Sequence, residues 1–220
     1  MGGPVATLPL LTLPNWVAGA AQAGHRRQLI QDVLTTGGSG DPHDAQLVAR
    51  ELEHMPTEAL QALKDHGIKV VACRGSVTDA HPELRGVQPR GWPAGMTWDN
   101  VPGARMGNEV VVAVIGHGTA AGAHVPATGE GHGSANLVIH EAFHAVDDQG
   151  GTPHNQDPAF AAARNTDLGT LDAYEGQAGD AGREETYAES AARYYGGDPG
   201  DAASHPNLHA YWATKPLGSP

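Results

Sequence analysis

Apolar residues recur along the chain at two spacings, and the switch between them predicts the elements. The run 109–115, EVVVAVI, is β-branched and nearly all apolar, the pattern of a strand buried on both faces. IKVVA over 68–72 predicts a second, short strand. Helical spacing runs through 25–35 with Leu29, Ile30, Val33 and Leu34 to one side, through 45–55 with Leu47, Val48 and Leu52, and from Thr57 through Leu60 and Leu63 to Gly67. Pro42 after Asp41 suits a first helical position, and Thr57 suits an N-cap. Further helices are expected around 137–147, over 158–166 and over 183–195, the last ended by Gly196-Gly197, with a final short turn in 205–215.

Between these elements the chain is rich in Gly and Pro. Residues 74–107 read as a long structured loop with room for one short strand, and 116–133 as a loop with six glycines. Residues 1–24 read as extended or poorly ordered. The break at Gly37-Gly38-Ser39-Gly40 divides the chain into an arm with a short helix (1–40) and a domain (41–220). The order of helices and strands gives an α+β class, a small sheet packed on helices with a C-terminal helical part.

Composition narrows the chemistry. Against 13 Lys and Arg stand 25 Asp and Glu, for a formal net charge of −12, which argues against nucleic acid as the main partner. The single cysteine, Cys73, excludes an intramolecular disulfide and sits in an apolar run as a buried, inert thiol. No segment reaches the roughly 18 apolar residues of a membrane span. The first residues carry no basic charge ahead of their apolar part and are interrupted by Pro4, Pro9 and Pro14, so they do not read as a secretory signal.

The strongest chemical signal lies in 140–144, HEAFH. Residues four apart on a helix share a face, so His140 and His144 can hold one Zn²⁺ through two imidazoles. Glu141, one step round, is poorly placed as a ligand but well placed as a general base for water. Leu137, Val138, Ile139, Phe143 and Val146 make the surrounding helix apolar and buried, and Ser134 or Asn136 can cap it. Buried histidines and a glutamate need partners, and a metal satisfies them. A catalytic zinc takes three protein ligands. On the helix over 183–195, Glu185 and Glu189 share a face continued by small Ala188 and Ala192, while Glu184 is turned away by about 100°. One of that pair is expected to bind zinc and the other to accept the free N–H of a ligating histidine. Asp147 and Asp148 oppose the helix dipole at its C-terminal end, so one of them, Asp147 in the surroundings of the site, is expected to hold a hydrogen bond that supports the turn.

NLVIHEAFHAVDD, followed some 40 residues later by ETYAES, resembles the catalytic domain of the anthrax lethal factor family of zinc metalloendopeptidases, whose relatives include the secreted Pro-Pro endopeptidases. The resemblance covers roughly residues 134–195. It implies a zincin-like fold with a small mixed sheet, Glu185 as the third zinc ligand, and Glu189 beside it against His140. It also implies a tyrosine assisting the chemistry. Tyr174 is the nearest candidate, although the family places this tyrosine seven residues before the ligand glutamate, where this chain has Ala178. The implied activity is zinc-dependent endoproteolysis of a protein substrate, lying extended along the edge of the strand before the zinc helix. Secretion or delivery as a toxin or effector domain follows from the same resemblance, with a cytoplasmic location the other option.

Two other readings compete. One is a non-catalytic, zinc-stabilised protein-binding module, against which the intact Glu141 argues. The other is a metal-independent domain with ordinary histidines. His117, His124 and His132 in the glycine-rich loop read as solvent-exposed and idle, with substrate contact or a second metal as the alternatives. Trp92, Trp98 and Trp212 read as packing residues.

Overall fold

The computed structural model describes residues 15–89, 94–148 and 152–214. Helix α1, Asn15–Val33, runs directly into strand β1, Leu34–Thr36. Helices α2, Pro42–Leu52, and α3, Thr57–Asp65, precede β2, Lys69–Arg74. The long loop holds short 3-10 turns and then β3, Gly103–Met106, which leads into β4, Glu109–Val114. Helix α4, Leu137–Asp147, carries the HEAFH motif. Helices α5, Pro158–Asp167, α6, Gly179–Gly196, α7, Asp201–Ser204, and α8, Pro206–Thr214, complete the chain.

The sheet is mixed, in the order β1-β2-β4-β3. The β1–β2 and β2–β4 pairs are parallel, and β3 is antiparallel to β4. Successive residues of a strand face opposite sides, and each side of this sheet has its own cover. Val70, Ala72, Val110, Val112 and Val114 join α1 to α4 in the main core. Val71, Cys73, Val111 and Ala113 pack under the long loop, against Val77, Val101 and Ala104. This explains why EVVVAV is apolar without alternation. Burial, with Asp79 adding to it, pushes the Cys73 thiol pKa up to about 12, which keeps it protonated and unreactive.

Helix α3 starts at Thr57 with Pro56 before it and no side-chain cap, so Thr57 is its first residue and not its N-cap. Three larger expectations also change. Helix α1 begins at Asn15, not at residue 25, because Ala20, Ala21 and Ala23 extend the helix at little cost. Its Leu29, Ile30 and Val33 enter the main core. Residues 34–36 form a strand, since Thr35 and Thr36 pair with Val71 and Ala72, a parallel partnership that leaves no local mark. Strand β4, which precedes the HEAFH helix, is interior, bonded by β2 on one side and β3 on the other, so no peptide can add to it; the edge strand next to it is β3. Residues 1–14, Trp92 and the Gly150-Gly151 break lie outside the described residues.

Helices α4 and α6 pack face to face, and the small side chains of Ala188, Ala191 and Ala192, all fully buried, permit the close approach. Behind them Phe143 stacks on Tyr195 and meets Trp212 edge-on, both at ring separations of 5.4 Å. The indole of Trp212 donates to Ser190 Oγ at 3.0 Å, which satisfies its polar end. Phe143 is fully buried, so Phe143→Ala is expected to lower stability by about 3–5 kcal/mol in urea unfolding. A loss under about 1 kcal/mol would show that this cluster does not hold α4 in place.

Candidate metal centre and active site

The apolar residues of α4 bury it and so aim its polar face at α6. Asn136 caps it, its side chain accepting from Ile139 N at 3.1 Å and donating to Glu51 at 2.6 Å. From this fixed start, His140 and His144 project one turn apart, with their Nε2 atoms 3.1 Å from each other. Glu185 of α6 faces both, Oε2 lying 3.5 Å from His140 Nε2 and 3.4 Å from His144 Nε2. This Oε2 is buried and, among the described residues, has no hydrogen-bond partner. Three donor atoms, one from each residue, thus lie within 4.8 Å of one another.

An orphaned carboxylate oxygen and two ring nitrogens pointing at one spot are what a cation would complete, and an N₂O donor set suits Zn²⁺ with an open position. The electrostatics agree. Burial works against a charge on His140, but the carboxylates of Glu185 and Glu189 outweigh it and push its pKa up to about 10. Burial likewise opposes ionising Glu185, and the two histidines overcome it, holding its pKa well below the usual carboxylate range. The site therefore favours positive charge.

Around these three residues lies a supporting set. Glu189 Oε2 bonds His140 Nδ1 at 3.0 Å, which leaves Nε2 toward the centre, and its Oε1 accepts from Ala135 N at 2.9 Å. Glu141 Oε2 accepts from the backbone N–H of Arg105 on β3 at 2.9 Å. That approach depends on Gly103, since a Cβ there would come within 2.7 Å of Leu137 at the start of α4. The Arg105 side chain pairs with Asp148. The Tyr174 hydroxyl donates to Glu185 Oε1 at 2.9 Å. Burial and the neighbouring Glu185 carboxylate raise its pKa, so the phenol stays a proton donor. The longer spacing between Tyr174 and Glu185 is absorbed by the turn over 172–176 and by the early start of α6 at Gly179.

The structure thus brings His140, His144, Glu185, Glu189, Glu141 and Tyr174 to one cleft of about 650 Å³, with Trp98 on its wall. Asp147 also reaches it, but both its oxygens are engaged by Asn155, one accepting the backbone N–H at 2.7 Å and the other the side-chain amide, so it holds the turn after α4 and no histidine. The loop histidines are not idle. His117 pairs with Asp44 at 2.8 Å, and His124 bridges Gly122 O and Glu130. His132 donates to Pro126 O and accepts from Ser134 N. All three brace the glycine-rich loop. Sequence reasoning passed over Arg105, which acts through its backbone and leaves no residue-type signal. It also passed over Arg193, whose position four residues after Glu189 on the same face was legible.

The family model described as "Anthrax toxin lethal factor, N- and C-terminal domain" matches residues 26–200. A Pro-Pro endopeptidase of Paenibacillus alvei is 42% identical over 135 residues, 58% of this chain and 57% of that protein. One from Clostridioides difficile is 34% identical over 122 residues, 54% of this chain and 51% of that protein. The matches therefore span about half the length of these curated relatives. The solved structure of the Pro-Pro endopeptidase PPEP-2 from Paenibacillus alvei superposes with a TM-score of 0.70 at 28% identity, covering 84% of this chain and 98% of that one.

Proposed function

The chain belongs to the anthrax toxin lethal factor family, matched over residues 26–200, and on that premise we propose that it is a zinc-dependent endopeptidase acting on a protein substrate. The observation that carries this reading is the convergence of His140, His144 and the orphaned Glu185 oxygen beside a glutamate that ligates nothing. Zinc held there would supply a Lewis acid and make its water more acidic.

Each protein group then has a task. Glu141 accepts the proton of the attacking water and passes it to the leaving nitrogen. Arg105 N–H holds one of its oxygens and leaves the other for this work. Tyr174 donates its hydroxyl proton toward the oxyanion that develops on the scissile carbonyl. The substrate lies extended along β3, because Arg105 N–H points away from β4 and into the cleft, placing the outer edge of β3 along it. The names of the Pro-Pro endopeptidase relatives suggest a proline pair at the cleaved bond. We also propose delivery as a secreted effector, supported by the toxin family match; recovery of the chain outside the producing cells tests it.

The activity is tested with a peptide library containing proline pairs. Cleavage should vanish with a chelator and return with zinc, and cleavage unaffected by chelator would refute the metal mechanism. Tyr174→Phe is expected to lower kcat by about 10²-fold with zinc content unchanged. Wild-type kcat in that variant would remove Tyr174 from the chemistry.

A further inference from the structure

Arg193 lies buried beside the cleft without reaching the three donor atoms. On α6 it stands one turn beyond Glu189 and two beyond Glu185, on the same side of the helix. Its guanidinium makes a two-pronged pair with Glu175, Nη1 to Oε2 and Nη2 to Oε1, both at 2.9 Å. Nη1 is also 3.7 Å from Glu189 Oε1, and Nε is 3.3 Å from Asp201 Oδ1. Glu175 and Asp201 are buried as well, and Asp201 in turn takes His209 Nδ1 at 2.7 Å.

Two of these carboxylates lead to the site by separate routes. Glu189 spans from Arg193 to His140 Nδ1. Glu175 directly follows Tyr174, whose hydroxyl reaches Glu185. One cation therefore touches both the support of a histidine and the turn that carries the tyrosine. Without it, Glu175 would lose its two-pronged partner and Glu189 the cation beside its Oε1. A Glu189 carboxylate held on one side fewer is freer to turn from the His140 N–H, and an unpaired Glu175 frees the turn that carries Tyr174.

Resting on the zinc reading above, we propose that Arg193 is a positioning residue for the metal centre: it holds the Glu189 carboxylate aimed at His140, and it fixes the Tyr174 turn against α6. Arginine suits the place because its planar fork can engage Glu175 with two nitrogens while a third faces Asp201. A lysine would carry the charge but only at one point.

The test uses the full chain as wild type, Arg193→Gln and Arg193→Lys, with zinc alone as the probe. Zinc affinity is read by competition with a colorimetric chelator, at a temperature where circular dichroism shows each protein folded. A buried ion pair that serves only the fold would lower the melting temperature and leave the zinc affinity of the folded protein alone. The expected result is a loss of zinc affinity of about 10–100-fold in Arg193→Gln and a smaller loss in Arg193→Lys. If Arg193→Gln does not fold, Arg193→Lys decides. Folded variants that bind zinc as tightly as wild type overturn the proposal and leave the zinc reading standing. A folded wild type that binds no zinc overturns the zinc reading, and this proposal with it.

Discussion

Glu141→Gln is expected to keep its zinc and to lose about 10²–10⁴-fold in kcat, the usual worth of a positioned general base. The geometry says why the loss is clean. Glu141 Oε2 accepts from Arg105 N–H, and in the variant only the amide oxygen can take that place. The amide nitrogen must then face the water, where it has no lone pair to accept a proton. The three donor residues are untouched, since Glu141 is not among them. Zinc analysis and steady-state kinetics on the same preparation check both halves. A variant that keeps wild-type kcat would mean another group is the base, and one that loses its metal would mean Glu141 helps to hold it.

The second large effect separates two adjacent residues. Glu185→Ala should weaken zinc binding by more than the roughly 10–100-fold that loss of an outer partner costs. Glu184→Ala should change it by no more than about 0.5 kcal/mol, as an exposed substitution does. Glu185 Oε2 is 3.4–3.5 Å from both histidine nitrogens. Glu184, one residue earlier, is exposed on the cleft wall and lies near the acids Asp147 and Asp148. Equal losses in the two variants would show that α6 is turned from the register described here.

The contrast between what the chain announces and what it conceals follows from the range of the interactions. The HEAFH spacing, the shared face of Glu185 and Glu189, and the buried run of β4 are local patterns, and each sits in the structure where the pattern put it. Strand β1 was hidden because its pairing with Val71 and Ala72 is parallel and distant in sequence. The interior place of β4 was hidden for the same reason: strand order is set by crossovers that no single segment records. Tyr174 could be named but not placed, because ten residues of turn and helix lie between it and Glu185 and only their folding shows that the hydroxyl arrives at 2.9 Å. The ties of His117, His124 and His132 were missed because loop histidines carry no periodicity from which a partner can be read.

The most direct measurement is the zinc content of the purified wild-type chain by elemental analysis, before and after addition of zinc to a chelator-treated sample. The expected result is one zinc per chain, regained on addition. A folded chain that was never exposed to chelator, holds no zinc and takes none up would contradict the peptidase account and leave a binding module as the better explanation of this site.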